Sequence, residues 1–251
     1  MSKLPPRANY TSTTNACKLC KPLGACLAFR GVAGSVSFLH GSQGCATYMR
    51  RYIISHFNEP IDIASSALGE KHAVYGGAAN LKQGLTNVSA KYQPKLIGIA
   101  TTCLTETIGD DVKMILSEYR RDYDGEGELP VLVAVSTPSY SGTHMEGFHA
   151  AVRGLVGALS EGGPRNGTVN ILPGLVSPAD LRHLKAILAA FGLTGIILPD
   201  ISDTLDGPAL ADCPLIPEGG TTIEEIKAMG RAEATIEFGL TLPDDTGGPY
   251  L

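Results

Sequence analysis

No stretch of this 251-residue sequence concentrates basic residues: twenty Lys plus Arg are interspersed with twenty-five Asp plus Glu, for a formal charge of −5. Without a basic block there is no electrostatic footprint for a phosphate backbone, which excludes a dedicated nucleic-acid binder. Long apolar runs are missing too. The longest spans only a few residues, against the roughly 20 that a spanning helix requires, so no membrane insertion is expected. The opening MSKLPPRANYTST carries Pro-Pro and polar residues where an export signal has an apolar stretch. The expectation is a chain in the reducing cytoplasm, whose six cysteines serve as buried thiols, metal ligands or redox groups rather than disulfides.

Several chemical signatures are absent as well. No Gly-Lys-Ser or Gly-Lys-Thr follows a Gly-rich loop, so the chain is expected to bind no nucleotide and to hydrolyse no ATP itself. There is no His-Glu-x-x-His and no Gly-x-Gly-x-x-Gly. Gly-x-Ser-x-Gly is missing too, because Gly41 stands directly before Ser42. Cys17 and Cys20 form one Cys-x-x-Cys, a zinc half-site or a dithiol, but a four-thiolate zinc site needs a second pair and the chain has none. The spacing does not follow the compact ferredoxin run either.

What is present is enough apolar residue, 43%, for a chain of this length to bury a core without disulfides. Residues 1–15 lack periodicity and read as an extended arm. From Ala16 on, short apolar β-branched runs alternate with helical stretches. The runs Ser35–Leu39, Leu96–Thr101, Leu129–Ser136, Thr168–Leu172 and Gly195–Leu198 have the length and continuity of strands covered on both faces. The clearest helix is Ser177–Gly192: Ser177 as N-cap, Pro178 at the first position, Leu181, Leu184, Ile187, Leu188 and Phe191 at helical spacing, and Gly192 as the stop. A later helix is expected over Ile223–Ala234. Alternating strands and helices predict an α/β fold with Rossmann-like parallel sheets flanked by helices. The turn-rich Gly162–Gly167 predicts a boundary between a domain at 16–161 and a second at 168–251. Two strands are few for a doubly wound sheet, so the second domain is expected to be incomplete or shared with a partner.

Open α/β sheets bind ligands at the carboxyl ends of their strands, and three cysteines map to that rim or close to it. Cys45 follows the first strand through His40-Gly-Ser-Gln-Gly44 and opens a helix. Cys103 follows the second strand directly, and Cys20 precedes Pro22, Gly24 and an apolar stretch. A helix N-terminus favours a thiolate, the form that binds metal. Singly, each cysteine also reads as a small core hydrophobe, and that reading suits Cys26 and Cys213 best. Asp110 and Asp111 read as structural acids at a helix start, while Arg50, Arg51, Glu59 and Asp62 read as interface or surface charges. His40 either contacts a bound group or caps a strand end.

The motifs CKPLGACLAFRG, LHGSQGCATYMRRYIISHFNEPIDIASS, TTCLTETIGDDV, STPSYSGTHMEGF and PEGGTTIEEI together resemble the β-type subunits of the nitrogenase molybdenum-iron protein superfamily, over about residues 16–240. NACKLC, GTHMEGFHAAV and LPGLVSPADLRHLK look more like the branch that serves as a scaffold for iron-molybdenum cofactor biosynthesis than like the catalytic branch. The resemblance implies Cys20, Cys45 and Cys103 as metal ligands, and Ser139 as a cofactor-binding position that can approach an oxidised cluster. It implies a 4Fe-4S or 8Fe-7S cluster shared with an α-type subunit, NifE- or NifD-like, in an α2β2 heterotetramer. An ATP-hydrolysing iron-protein reductase would supply electrons, and the larger cofactor would sit on the α-type subunit. Family members continue for about another domain, so a third domain is expected to be absent here. Three readings follow: a biosynthetic scaffold subunit, a β-type subunit of a catalytic nitrogenase or nitrogenase-like reductase, and a cluster-free interaction module.

Overall fold

The computed structural model describes residues 19–57, 59, 61–123, 129–208, 212, 214–239 and 246–251. The N-terminal arm expected at 1–15, Cys17 and Cys213 lie outside them. In chain order the elements are α1 (Lys21–Arg30), β1 (Ser35–His40), α2 (Gln43–His56), β2 (Ile63–Ser65), α3 (Glu70–Tyr75), α4 (Ala78–Tyr92), β3 (Leu96–Thr101), α5 (Cys103–Ile108), α6 (Val112–Asp122), β4 (Val131–Val135), α7 (His144–Leu159), β5 (Thr168–Leu172), α8 (Pro178–Ala190), β6 (Thr194–Ile197), α9 (Ile223–Ala228) and β7 (Ala234–Glu237). A 3-10 turn at Ser139–Ser141 follows β4. None of the described helices is long and apolar enough to cross a membrane.

The strands form two sheets, ordered β2-β1-β3-β4 and β6-β5-β7, and every described pairing is parallel. A parallel sheet needs cover on both faces. On one face of the first sheet Val36, Phe38, Ile97 and Ile99 meet Leu81 and Leu85 of α4 and Ile115, Leu116 and Tyr119 of α6. On the other, Leu39, Leu96 and Ala100 meet α1 and α7, and that apolar cluster continues into Ile171 and Leu172 of β5 and Ile196 and Ile197 of β6. Gly162–Gly167 runs exposed between α7 and β5, while a common core passes behind it.

Local chemistry accounts for the element ends. The Ser177 hydroxyl accepts the Asp180 N–H at 3.1 Å and the Asp180 carboxylate returns to the Ser177 N–H, a reciprocal cap. Gly192 sits at φ +66°, a conformation that closes a helix and that glycine adopts freely. The helix expected over Ile223–Ala234 is shorter: α9 ends at Ala228, a 3-10 turn covers Met229–Arg231, and Ala234 opens β7. The 3-10 turn packs Gly230 on the Glu161 backbone, where a Cβ would lie 2.7 Å from the carbonyl oxygen. The sequence reading lacks β2 and β7, both short and only partly covered, because neither carries a continuous apolar run. The second sheet therefore has three strands.

Nine of the ten α1 residues are buried, as suits a helix enclosed on all sides. It crosses α7 at backbone contact. A Cβ on Gly24 would fall 1.7 Å from the His144 carbonyl oxygen, and one on Gly147 would fall 1.8 Å from that of Lys21. Beyond α1, the Gly31 carbonyl accepts N–H groups from Asp200 (3.1 Å) and Thr221 (2.9 Å), tying the helix to the second sheet's loops. Neither backbone contact leaves space for a methyl group. Gly147→Ala should therefore lower the unfolding free energy by more than about 3 kcal/mol or prevent folding. Gly157→Ala, on the same helix with its nearest atom 3.9 Å from the added carbon, should raise it by about 0.5–1 kcal/mol through helix propensity. Urea midpoints of the two variants measure both effects.

Candidate metal centre

Strands β1, β3 and β4 are neighbours in the first sheet, and each ends in a group of chemical interest. After β1, Ser42 caps α2 and Cys45 is its third residue. After β3, Cys103 is the first residue of α5. After β4, Ser139 opens the 3-10 turn. The Ser139 N–H donates to Cys103 Sγ at 3.2 Å, and the Ser139 hydroxyl accepts the Lys21 N–H at 3.2 Å. Lys21 follows Cys20, the residue at the N-terminal boundary of α1, which also forms a backbone bridge with Thr143. Two hydrogen bonds thus link the Cys20, Ser139 and Cys103 segments.

Cys45 joins them electrostatically. Its thiol is pushed above the usual thiol range, first by burial and then by the charges of Cys20 and Cys103, so each of the other two sulfurs lies close enough to be felt. This departs from the expectation that a helix N-terminus favours the thiolate there, because burial and two like charges outweigh the backbone N–H groups. Cys20 is exposed and Cys45 and Cys103 are half-buried, so none of the three is enclosed in the core. Cys26 is: it is fully buried, with its thiol pushed up to about 12 by burial. Among the described residues no three His, Cys, Asp or Glu can hold a single metal ion.

The surrounding charges are mostly structural. His40, fully buried at the end of β1, contacts the Ser66 hydroxyl at 2.9 Å and an Asp110 carboxylate oxygen at 3.1 Å through its two ring nitrogens. Asp110 also accepts the Gly77 N–H at 3.0 Å, and Asp111 caps α6 through the Met114 N–H at 3.0 Å. His40 therefore fastens the strand end with both nitrogens committed. Arg50 donates to the Ile61 carbonyl at 2.9 Å and pairs with Asp62 at 3.2 Å, and Arg51 is exposed. Both line an open groove of about 560 Å³ beside α2. Glu59 and Asp62 act on buried Arg30, whose guanidinium burial lowers to about 10 and these acids partly restore.

Two residues at the rim escaped sequence reasoning. Lys21 extends its ammonium to the Ser141 hydroxyl at 3.0 Å. Glu106 accepts from Thr101 and, at 2.6 Å, from Ser136. The one available signal for Glu106 was its place a helical turn beyond Cys103.

The family model for nitrogenase component 1 type oxidoreductases matches residues 20–247. The chain is 39% identical over 241 residues to the nitrogenase molybdenum-iron protein beta chain of Clostridium pasteurianum, covering 94% of this chain and 52% of that protein. It is 40% identical over 243 residues to the nitrogenase iron-molybdenum cofactor biosynthesis protein NifN of Bradyrhizobium diazoefficiens, covering 92% and 52%. A solved structure of nitrogenase Cp1 at pH 6.5 superposes with a TM-score of 0.90 at 36% identity, over 99% of this chain and 54% of that one. With its parallel sheets and a rim carrying three thiols, the chain belongs to the nitrogenase component 1 type oxidoreductase family. It spans about half the length of the curated relatives it matches, and beta chains and NifN stand at the same level of identity.

Burial holds His40 below the usual 6.5, with Asp110 partly opposing, and lowers His144 and His149 in the same direction. A base depressed in the folded state binds its proton sooner when unfolded, so its stability is complete above about 6.5 and declines as pH falls below it. The urea midpoint should therefore drop between pH 7 and pH 5.5, and His40→Gln should make that profile shallower. A midpoint that rises on acidification would contradict this assignment.

Proposed function

We propose that this chain acts as the β-type subunit of a scaffold complex for iron-molybdenum cofactor biosynthesis, with Cys20, Cys45 and Cys103 binding an iron-sulfur cluster shared with an α-type partner. The observation that carries the reading is the shared rim: Cys45 and Cys103 follow neighbouring parallel strands, and Ser139 bonds Cys103 Sγ through its N–H while its hydroxyl accepts the Lys21 N–H beside Cys20. Thiolate is the characteristic ligand of iron-sulfur clusters, and a positively charged metal core reverses the repulsion that disfavours a Cys45 thiolate. Three donors leave a cluster's ligand set short, which suits a seam where a second subunit completes it. When bound, such a cluster takes up and releases single electrons.

The chain's own groups prepare that site. The three thiols supply ligands, and the Ser139 N–H, 3.2 Å from Cys103 Sγ, stabilises negative charge on that sulfur, a known lever on cluster potential. The Ser139 hydroxyl is held at the rim by the Lys21 N–H. Residues 16–161 form the cluster-binding unit in this reading and residues 168–251 a second Rossmann-like unit. An ATP-hydrolysing iron-protein reductase serves as electron donor in the cytoplasm, where thiols stay reduced.

A second reading, a β-type subunit of a catalytic nitrogenase or nitrogenase-like reductase, draws on the same thiols together with Ser139 and on the beta-chain relatives. Anaerobic co-expression with a NifE-like or NifD-like partner, followed by iron and sulfide analysis and electron paramagnetic resonance, tests the cluster. The complex should carry iron, and Cys45→Ala should remove most of it and weaken subunit pairing. An iron-free wild-type complex would refute both cluster readings in favour of a cluster-free module. Acetylene or dinitrogen reduction with reductase and ATP would select the catalytic reading over the scaffold.

A further inference from the structure

We propose that Glu106 is a positioning residue for this rim: its carboxylate holds the ends of β3 and β4 together and thereby sets Cys103 against Ser139. The purpose rests on the cluster reading above, but the geometry stands apart from it. Backbone pairing between β3 and β4 ends at Ala100 and Val135. Beyond that point side chains take over. One Glu106 oxygen, Oε1, accepts from the Thr101 hydroxyl on β3 and from the Ser136 hydroxyl just past β4, the latter at 2.6 Å. The Thr101 hydroxyl also accepts the Thr137 N–H at 2.9 Å, and the Thr137 hydroxyl donates to the Thr101 carbonyl at 2.7 Å.

This knot lies immediately before Pro138 and Ser139. Ser139 is the residue whose N–H reaches Cys103 Sγ and whose hydroxyl receives the Lys21 N–H beside Cys20. Because Glu106 belongs to the same short helix as Cys103, it fixes the separation between the helix carrying the thiol and the turn carrying its N–H donor. Two hydroxyl donors on one oxygen call for an acceptor with both lone pairs available, which a carboxylate or amide oxygen supplies. An amide oxygen in the same place preserves the geometry, and a methyl group abolishes it.

The test follows wild type, Glu106→Ala and Glu106→Gln in the full chain. In the metal-free chain, Glu106→Ala should speed hydrogen exchange at the Thr137 and Ser139 amides about tenfold or more while α1 and α7 amides keep their rates; Glu106→Gln should stay within about threefold of wild type. Unchanged rates, uniform acceleration, or a Gln variant as fast as the Ala variant would overturn the clamp. Should Glu106→Ala fail to fold, Ser136→Ala removes one donor and must show the same local acceleration. In the complex loaded anaerobically with iron and sulfide, Glu106→Ala should shift the cluster's paramagnetic resonance spectrum and Glu106→Gln should restore it. An unshifted Ala spectrum overturns the positioning role. A wild-type complex without iron refutes the cluster reading instead, and the exchange rates then decide the clamp alone.

Discussion

The crossing of α1 over α7 is the contact on which the other parts depend. Gly24 lies against the His144 carbonyl and Gly147 against that of Lys21, so the helices meet with no side chain between them. The consequence reaches both ends of α1. At its start, His144 donates its N–H to the Leu19 carbonyl at 3.0 Å, which brings the Cys20 segment to the first sheet's rim. At its end, the Gly31 carbonyl joins the second sheet's loops. A wider crossing would withdraw Cys20 from the rim and open the core that runs from α7 into β5 and β6.

The rest of the site comes from parallel topology. Adjacent strands lie about 4.8 Å apart and point the same way, so whatever follows β1, β3 and β4 emerges at one edge. Cys45, Cys103 and Ser139 do so. Hydrogen bonds then refine the placement: Ser139 to Cys103, Lys21 to Ser139, and the Glu106 carboxylate across the gap where the β3–β4 ladder has ended. Beneath these, the His40–Asp110–Gly77 network fixes the end of β1 to the loop before α6 without approaching the thiols through either imidazole nitrogen. Support and chemistry are thus assigned to different residues within one short stretch of rim.

Charge separates the cysteines. Cys26 is enclosed in the core, where burial drives its thiol up and a Ser37 hydrogen bond only partly opposes it. Cys45 is only half enclosed; burial is the first cause of its raised thiol, and the charges of Cys20 and Cys103 add to it. The first environment suits a permanently neutral thiol. The second leaves the thiol partly accessible beside two other cysteines, so the same residue type meets different surroundings at positions 26 and 45.

By itself the sequence determined the α/β class, the parallel strands at 35–39, 96–101 and 168–172, the Ser177 cap and the placement of Cys45 and Cys103 at strand-to-helix junctions. These depend on hydrophobic period, caps and turn formers within one or two helical turns, so they are written locally. The short strands β2 and β7, the early end of α9, the commitment of His40, the raised thiol of Cys45 and the Glu106 clamp were decided only by tertiary structure. Each depends on groups remote in the chain: seventy residues separate His40 from Asp110, and 118 separate Lys21 from Ser139. No local pattern encodes such a meeting, because the burial and charge that set each group's behaviour exist only after the sheet has aligned its strand ends and the glycine crossing has delivered α1 to them.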